Sequence, residues 1–193
     1  MINAYFRILL LVLVAFLAGS GCASYVESYP PTPWGTVEVK EIPAGRIIKA
    51  EAKGDYFLTK GYESMFTALS EFKRKRKLAV TLPVEAEITP KRSAMWVYIA
   101  PADKDRVLVE TDKVKVMNAE KKTVVSIGAR GAYTVENLSK TIVELNRWFD
   151  ENPDYIRKNK PYVVFWDSLF TPWILKKYEI HVDVEKAPPE EER

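Results

Sequence analysis

The chain contains little cysteine, histidine and glycine, and each shortage excludes a class of function. Its 193 residues include one cysteine, Cys22, one histidine, His181, and eight glycines. A single thiol cannot form an intramolecular disulfide, and one cysteine with one histidine cannot supply a conventional zinc site. The scattered glycines form no phosphate-binding loop. The sequence therefore argues against a disulfide framework, a zinc centre and a nucleotide loop.

The chain also lacks the charge of a nucleic-acid-binding protein and the motifs of common catalytic sites. Its 29 Lys and Arg residues against 26 Asp and Glu give a formal net charge of +3, too small to indicate nucleic acid. A Ser–His–acid set would need His181, and no nucleophile-elbow motif supplies a serine. Glu85 and Glu87 share a face of a predicted strand, as acid–base chemistry could use, but an exposed strand alternates in the same way. We therefore expect a protein that is not an enzyme.

The apolar N-terminal run is too short to cross a bilayer as a helix. Residues 8–17 are apolar and follow one cation, Arg7. Ten residues span about 15 Å as a helix, whereas a transmembrane helix needs about 20 residues. The length and the small residues that follow are typical of a secretory signal peptide. An uncleaved membrane anchor is the weaker alternative.

The end of this run resembles the lipobox of bacterial lipoproteins, in which cleavage precedes a lipidated cysteine. Gly21 and Cys22 match that motif, whereas Gly19 stands where leucine is more common. The resemblance implies a signal peptide over 1–21 and palmitate-type lipid on Cys22. Ala23, in place of a retention aspartate, implies the periplasmic side of the outer membrane in an organism that has one. A plain cleaved signal is the alternative.

Composition divides the rest of the chain into three segments. Residues 22–35 are predicted to form the anchored cysteine and a semi-extended linker, because 24–33 is rich in Ser, Tyr and Pro. Residues 36–185 have a normal length for one domain with a single core. Residues 186–193 are charged and predicted to form a flexible tail.

Hydrophobic periodicity within 36–185 predicts the same order of elements twice. Alternating residues predict strands, and apolar residues three and four apart predict amphipathic helices. The first half has predicted strands at 36–40, 46–52, 78–88 and 94–100, and a helix on Tyr62, Met65, Phe66, Leu69 and Phe72. The second half has predicted strands at 106–117, 123–129, 162–166 and 178–184, and a helix over 135–150 capped by Thr134. The two β-β-α-β-β halves predict an α+β domain of curved antiparallel sheets, or a distorted barrel, with two main helices.

Four ordered motifs resemble the SOUL family of heme-binding proteins, whose fold is related to the effector-binding domains of GyrI-like regulators. They are V-E-V-K-E-I-P at 37–43, V-T-L-P-V at 80–84, W-V-Y-I-A-P at 96–101, and F-W-D-S-L-F-T-P-W at 165–173 followed by K-K-Y-E-I at 176–180. Val80 replaces the methionine of the family's M-T-x-P-V motif, and residues 114–130 carry no family motif. The resemblance covers almost the whole predicted domain.

The resemblance implies a non-catalytic protein that binds heme or a related tetrapyrrole in an apolar groove, as carrier, buffer or sensor. The familiar members of the family are cytosolic, and it is the lipobox that implies the cell envelope here. Aromatic residues near the late loop are the candidate walls of this groove, and two lysines could pair with propionates at its rim. The candidate ligand-binding residues are Tyr62, Phe66, Trp96, Tyr98, Phe165, Trp166, Phe170, Trp173, Lys176 and Lys177. That these aromatics simply close the core is the alternative.

His181 is the one histidine available as an axial heme ligand. Strand alternation argues against that role, because Ile180 and Val182 share the apolar face and His181 falls on the other, with Glu179. We expect that face to be solvated or to line a groove.

Three further hypotheses remain open. The aromatic loop could dock a protein partner in the envelope, which would make the domain an interaction module. The basic residues 73–77 could touch anionic lipid headgroups, although cations also suit a helix C-terminus. Finally, distant GyrI-like relatives suggest a hydrolase that uses a pocket glutamate such as Glu179.

Overall fold

The computed structural model describes residues 25–54, 61–89, 91–167 and 171–188. The predicted signal peptide, Cys22 and Phe170 lie outside these ranges. The described helices are α1 (Gly61–Arg76) and α2 (Val135–Glu151), with 3₁₀ turns at Pro101–Asp103 and Trp173–Leu175. The described strands are β1 (Val26–Glu27), β2 (Val37–Ile42), β3 (Gly45–Lys53), β4 (Thr81–Leu82), β5 (Val84–Ile88), β6 (Arg92–Tyr98), β7 (Lys115–Ala119), β8 (Lys122–Arg130), β9 (Tyr155–Arg157), β10 (Tyr162–Phe165) and β11 (Lys177–Lys186).

One curled antiparallel sheet forms the centre of the molecule. Its strand order is β7-β3-β6-β5-β10-β11-β8-β2, and β9 pairs with the end of β11. The halves β2-β3-α1-β5-β6 and β7-β8-α2-β10-β11 meet where β5 pairs with β10. Each half gives its first strand to the other, since β2 pairs with β8 and β7 pairs with β3. The predicted duplicated α+β fold is confirmed.

The two helices cover one face of the sheet. α1 buries Met65, Leu69 and Phe72 against it, and α2 buries Leu138, Thr141, Leu145 and Phe149. Thr134 caps α2 as predicted, because its side chain accepts a hydrogen bond from the backbone N–H of Asn137 at 3.3 Å. Within the described ranges, neither helix combines the length and apolar character that a membrane span requires.

Strand alternation produces two separate sets of buried residues, one on each face of the sheet. The helix-covered face carries the larger core, which includes Ala86, Met95, Val163 and Ile180. The opposite face carries a second cluster rich in aromatic residues: Tyr29, Ile42, Ile47, Tyr98, Val124, Tyr162, Val164 and Trp166. Each face therefore carries a buried cluster, although only one face is covered by helices.

Two predicted strands differ from the observed ones. The strand predicted at 106–117 is observed only at Lys115–Ala119. Val107 and Val109 are 94% and 71% exposed, so their alternation has no buried face to stabilise a strand. The strand predicted at 78–88 is interrupted by Pro83, which has no N–H for a ladder hydrogen bond.

Residues 25–34, which fall in the segment predicted to be a semi-extended linker, pack against the sheet. We call this segment the strap. β1 pairs in parallel with β4, and the strap then crosses the sheet face that the helices leave uncovered. Within the strap, Tyr29 and Thr32 are buried, whereas Tyr25, Pro30 and Trp34 are exposed.

Candidate functional site

An apolar cleft of about 730 Å³ opens on the helix-covered side of the sheet. We call it the apolar cleft. Aromatic side chains supply much of its wall, and aliphatic side chains from α1 and the sheet supply the rest. The aromatic lining is Tyr25, Tyr62, Phe66, Tyr133, Phe165 and Trp166, and the aliphatic lining includes Leu69, Leu78, Val80, Leu82, Val84, Met95 and Val97. A cavity of this size and composition suits a hydrophobic small molecule.

Helix and strand geometry place the aromatic walls. Tyr62 and Phe66 lie four residues apart on α1, so they share a face, and their rings stack with centroids 5.9 Å apart. Opposite them, Tyr133 contacts Phe165 at 4.6 Å between ring centroids. Phe66 is 38% exposed although its neighbours in the helix core are buried. The cleft is therefore accessible from solvent along α1.

Two cations stand at the edge of the apolar cleft. Lys73 and Arg74 both line it, and the Lys73 ammonium donates a hydrogen bond to Thr81 Oγ1 at 2.9 Å. Burial lowers the pKa of Lys73 to about 8, although the Asp103 carboxylate opposes this change. At pH 7 Lys73 is still mostly charged, so the edge of the cleft attracts an anionic group.

The structure brings together four of the ten predicted ligand-binding residues. Tyr62, Phe66, Phe165 and Trp166 all line the apolar cleft. Trp173 is instead 67% exposed on a 3₁₀ turn, and Lys176 and Lys177 are not among the lining residues. Their roles, like that of Phe170, stay predictions.

Trp96 and Tyr98 do not complete the apolar cleft as predicted. They share a face, but it is the face opposite the cleft, because Met95 and Val97 are the β6 residues that line the cleft. Strand alternation predicts that Trp96 and Tyr98 share one face of β6, but it does not predict which face of β6 packs against α1. Tyr133 was missed, since it lies in the turn before α2 and no periodic pattern marks it.

Trp96 and Tyr98 belong to a second buried site, centred on two carboxylates. We call it the carboxylate chamber. Glu85 and Glu179 are 0% and 1% exposed and lie on the same face of the sheet, on β5 and β11, where both pair with Val164 of the intervening β10. The residues around them are Trp96, Tyr98, Ser126, Tyr162, Trp166 and His181.

Glu85 is the first of the two buried carboxylates. One oxygen accepts a hydrogen bond from the Tyr29 hydroxyl at 2.7 Å, and the other accepts from Trp96 Nε1 at 3.0 Å. Glu87, two residues further on, is exposed. The two carboxylates therefore lie in different environments, because β5 runs out to the surface at Glu87, and they do not form an acid–base pair.

Glu179 accepts hydrogen bonds from four donors. They are the Thr32 backbone N–H at 2.8 Å, Lys40 Nζ at 2.7 Å, Ser126 Oγ at 2.7 Å and His181 Nε2 at 2.6 Å. Burial by itself would raise the pKa of Glu179, but the hydrogen bond from His181 and the charge of Lys40 outweigh it and lower the pKa. Glu179 is therefore an ionised carboxylate, with one donor on Oε1 and three on Oε2.

The prediction that His181 lies on a solvated or groove-lining face is wrong. His181 is 0% exposed, because the strap and the aromatic cluster cover its side of β11. Burial lowers its pKa, although Glu179 opposes the shift, so the ring is neutral at pH 7. Since an ionised Glu179 can only accept, the His181 proton is on Nε2. That nitrogen cannot reach the apolar cleft on the other face of the sheet.

The Trp166 Nε1–H is buried and has no hydrogen-bond partner within the described ranges. No group of three or more metal-binding side chains occurs within those same ranges.

Searches for relatives identified the fold but no family. No family model and no curated protein matched the chain. The solved structure of the EcmrR C-terminal domain is similar to it at 17% identity, with a TM-score of 0.64, over 79% of this chain and 98% of that one. EcmrR in its complex with DNA is similar at 16% identity, with a TM-score of 0.63, over 79% of this chain and 58% of that one. A hydrolase from Listeria innocua is similar at 13% identity, with a TM-score of 0.56, over 80% of this chain and 94% of that one.

These similarities establish a shared fold. At identities of 13–17% they support the predicted fold class and assign no role. Membership of the SOUL family and the lipobox stay predictions.

Proposed function

We propose that the protein binds a flat hydrophobic molecule with an acidic group in the apolar cleft, as a carrier, buffer or sensor and without catalysis. The observation that carries the proposal is an accessible cleft of about 730 Å³ with aromatic walls and cations at one edge. Apolar walls favour an apolar ligand body, and Lys73 and Arg74 favour an anionic substituent.

A porphyrin is a flat hydrophobic molecule with acidic groups. The cleft residues fit its macrocycle and its propionates, but they offer no histidine ligand to a heme iron. Tyr62, Phe66 and Phe165 offer ring faces for an apolar macrocycle, and Lys73 and Arg74 offer partners for its propionates. No histidine is available to the iron, since His181 is bound to Glu179 on the opposite face of the sheet. When bound, heme would supply a coloured, redox-active centre, and the protein would contribute stacking and charge pairing.

Titration of the full chain with protoporphyrin IX and with hemin tests the proposal. We expect saturable binding of both compounds with similar affinity, because the iron finds no histidine ligand in the cleft. Phe66→Ala removes an exposed wall residue and is expected to weaken binding about tenfold, the loss of one stacked aromatic contact. If neither porphyrin binds saturably, the proposed ligand class is wrong.

A matched variant separates the cleft from general surface hydrophobicity. Val143 on α2 is an exposed apolar residue, 58% exposed, and does not line the cleft. Val143→Ala should therefore leave porphyrin affinity unchanged. Equal losses for Phe66→Ala and Val143→Ala would indicate non-specific adsorption and would contradict the proposal.

We also propose that the domain is held at a membrane surface by lipid on Cys22. The support is the sequence of residues 7–22, since Cys22 lies outside the described residues. Metabolic labelling with an alkyne fatty acid should mark the wild type and not Cys22→Ala. Labelling that persists in Cys22→Ala would exclude this anchor.

The two alternatives remain as competing explanations. The 3₁₀ turn Trp173–Leu175 exposes three large apolar side chains, which supports the docking of a protein partner. Trp173→Ala should leave porphyrin binding intact if the turn serves a partner. A hydrolase that uses Glu179 is less favoured, because four donors already occupy that carboxylate.

A further inference from the structure

The strap closes the carboxylate chamber with the side chain of Tyr29. The Tyr29 ring meets Tyr98 and Trp166 edge-on, with centroids 6.0 Å and 5.7 Å away. Its hydroxyl donates to the buried Glu85 carboxylate at 2.7 Å. Tyr29 is 5% exposed, although Glu27 and Pro30 beside it are exposed. Tyr29 thus occupies the chamber as a bound ligand would, with its ring among aromatic side chains and its polar atom on a carboxylate.

Few backbone hydrogen bonds hold the strap in place. Pro30, Pro31 and Pro33 have no N–H, so Thr32 provides the only amide donor within 30–33, and it donates to Glu179. Towards the N-terminus, Val26 and Ser28 donate to the carbonyls of Val80 and Leu82 at 2.9 Å and 2.8 Å. Side chains add hydrogen bonds from Thr32 Oγ1 to Ser126 Oγ at 2.7 Å and from Lys40 Nζ to the Pro30 carbonyl at 3.2 Å. A segment with so few backbone hydrogen bonds and an exposed outer side is expected to open locally before the sheet unfolds.

Opening of the strap would leave the chamber with unpaired acceptors. Glu85 would lose the Tyr29 hydroxyl, and Glu179 would lose the Thr32 N–H. The aromatic rings of Tyr98 and Trp166 would be uncovered at the same time. Water can reach the carboxylates of the open chamber, but a molecule with both an aromatic ring and a hydroxyl donor restores the ring contacts and the hydrogen bond together.

We propose that the strap is a displaceable internal ligand, and that the open carboxylate chamber binds a small free phenol in place of Tyr29. The chamber lies on the opposite face of the sheet from the apolar cleft and uses different polar groups, and of the chamber residues named above only Trp166 also lines the cleft. The inference therefore stands or fails separately from the porphyrin proposal.

Native-state hydrogen exchange of the full chain tests the opening step, with 4-methylphenol as the probe because it is the tyrosine side chain. We expect the Val26 and Ser28 amides to exchange faster than the amides of β8 and β11. A molecule that binds only the open state raises its population by the factor 1 + [L]/Kd, so 4-methylphenol at ten times its Kd should accelerate strap exchange about tenfold. Toluene, which lacks the hydroxyl, should have a much smaller effect.

Either of two results would overturn the inference. One is exchange of the strap amides only at the rate of global unfolding. The other is strap exchange that 4-methylphenol leaves unchanged. Both measurements use the wild-type chain, so they do not depend on a variant that folds.

Two variants locate the binding site. A Cβ on Gly128 would lie 2.4 Å from the Pro33 carbonyl oxygen and 2.5 Å from that of Thr32. Gly128→Ala must therefore shift the strap without altering any side chain of the chamber, and we expect it to raise the affinity for 4-methylphenol. Tyr29→Ala should also bind 4-methylphenol saturably, about tenfold more tightly than toluene, because the hydroxyl pairs with a buried carboxylate.

Glu27→Ala is the matched control, since Glu27 lies in the same strap but is exposed and lines neither the chamber nor the apolar cleft. It should leave the affinity for 4-methylphenol at the wild-type value. Gains of equal size in Glu27→Ala and Tyr29→Ala would place the phenol outside the chamber and contradict the proposal.

Discussion

The two faces of the sheet bury their residues by different means. On the helix-covered face, α1 and α2 pack over aliphatic residues and leave an apolar cleft open at the side. On the opposite face, a ten-residue strap covers two carboxylates, a histidine and several aromatic rings. The same strands serve both faces, because alternate residues point to opposite sides.

The two faces are therefore expected to differ in the substitutions that they tolerate. Apolar packing depends on volume and adjusts to small changes, whereas a buried charge depends on each of its partners. The chamber is satisfied only while its four donors to Glu179 and two donors to Glu85 are in place. We therefore expect single polar substitutions to affect the chamber face more strongly than matched substitutions at the surface.

The largest effect is expected when Glu179 loses its counter-charge. Lys40→Met keeps the length of the side chain but leaves the carboxylate, 1% exposed, without the ammonium 2.7 Å away. Removing one partner of a buried ion pair costs about 3–5 kcal/mol of stability. The free energy of unfolding in urea measures this loss. Lys140→Met is the control, because the side chains of the Lys140–Glu136 pair are 67% and 75% exposed and such pairs contribute at most about 1 kcal/mol. Similar losses of unfolding free energy in both variants would mean that the buried ion pair contributes no more to stability than a surface pair.

A smaller loss is expected from Tyr29→Phe, which keeps the ring and removes the donor to Glu85. A buried acceptor that loses its partner costs about 1–3 kcal/mol. Chemical denaturation compares this variant with Tyr25→Phe, whose hydroxyl lies on an exposed side chain and whose loss should have almost no effect. A Tyr29→Phe protein as stable as the wild type would show that the Glu85 hydrogen bond does not hold the strap.

The fold was predictable from the sequence because its signals are local. Helix periodicity around Met65 and Leu69, and alternation in β8 and β11, depend on residues close together in the chain. The duplicated order of elements follows from the same patterns. The exchange of β2 and β7 between the halves leaves no such signal, since it depends on which edges pair in three dimensions.

The sites were only partly predictable, for a related reason. Tyr62 and Phe66 were identified because helical spacing puts them on one face. The position of His181 was predicted wrongly because a polar residue on a strand normally faces water. Its side of β11 is buried by the strap, whose Thr32 is 147 residues away in sequence from Glu179, to which it donates a hydrogen bond. The strap itself has the composition of a linker, and its three prolines conceal the burial of Tyr29 and Thr32.

Alkaline pH should lower the stability of the protein through Tyr29 in the carboxylate chamber. Burial, and then the negative charge of Glu85, raise the pKa of Tyr29 well above its ordinary value. A raised folded-state pKa gives stability that is complete below the unfolded pKa of about 10 and is lost as the pH rises further. The groups that face Tyr29 are Lys40, Glu85, Tyr98, Tyr162, Glu179 and His181.

Other buried tyrosines titrate in the same range, so a comparison isolates Tyr29. Wild type should lose up to about 1.4 kcal/mol more per pH unit above pH 10 than Tyr29→Phe does. Unfolding free energies of the two proteins at pH 9, 10 and 11 provide the measurement. Parallel curves would mean that Tyr29 ionises in the folded protein as easily as in the unfolded chain.

The apolar cleft has its own, weaker pH dependence, governed by one cation. Lys73 has a pKa lowered to about 8 by burial, so its charged fraction falls steeply between pH 7 and pH 9. If Lys73 pairs with an acidic group of the ligand, protoporphyrin affinity should fall several-fold, at most about tenfold, over this interval. In Lys73→Met the same titration should be flat, at the lower affinity, since Arg74 stays charged throughout. An equal pH dependence in the variant would assign the titration to another group and separate Lys73 from the ligand.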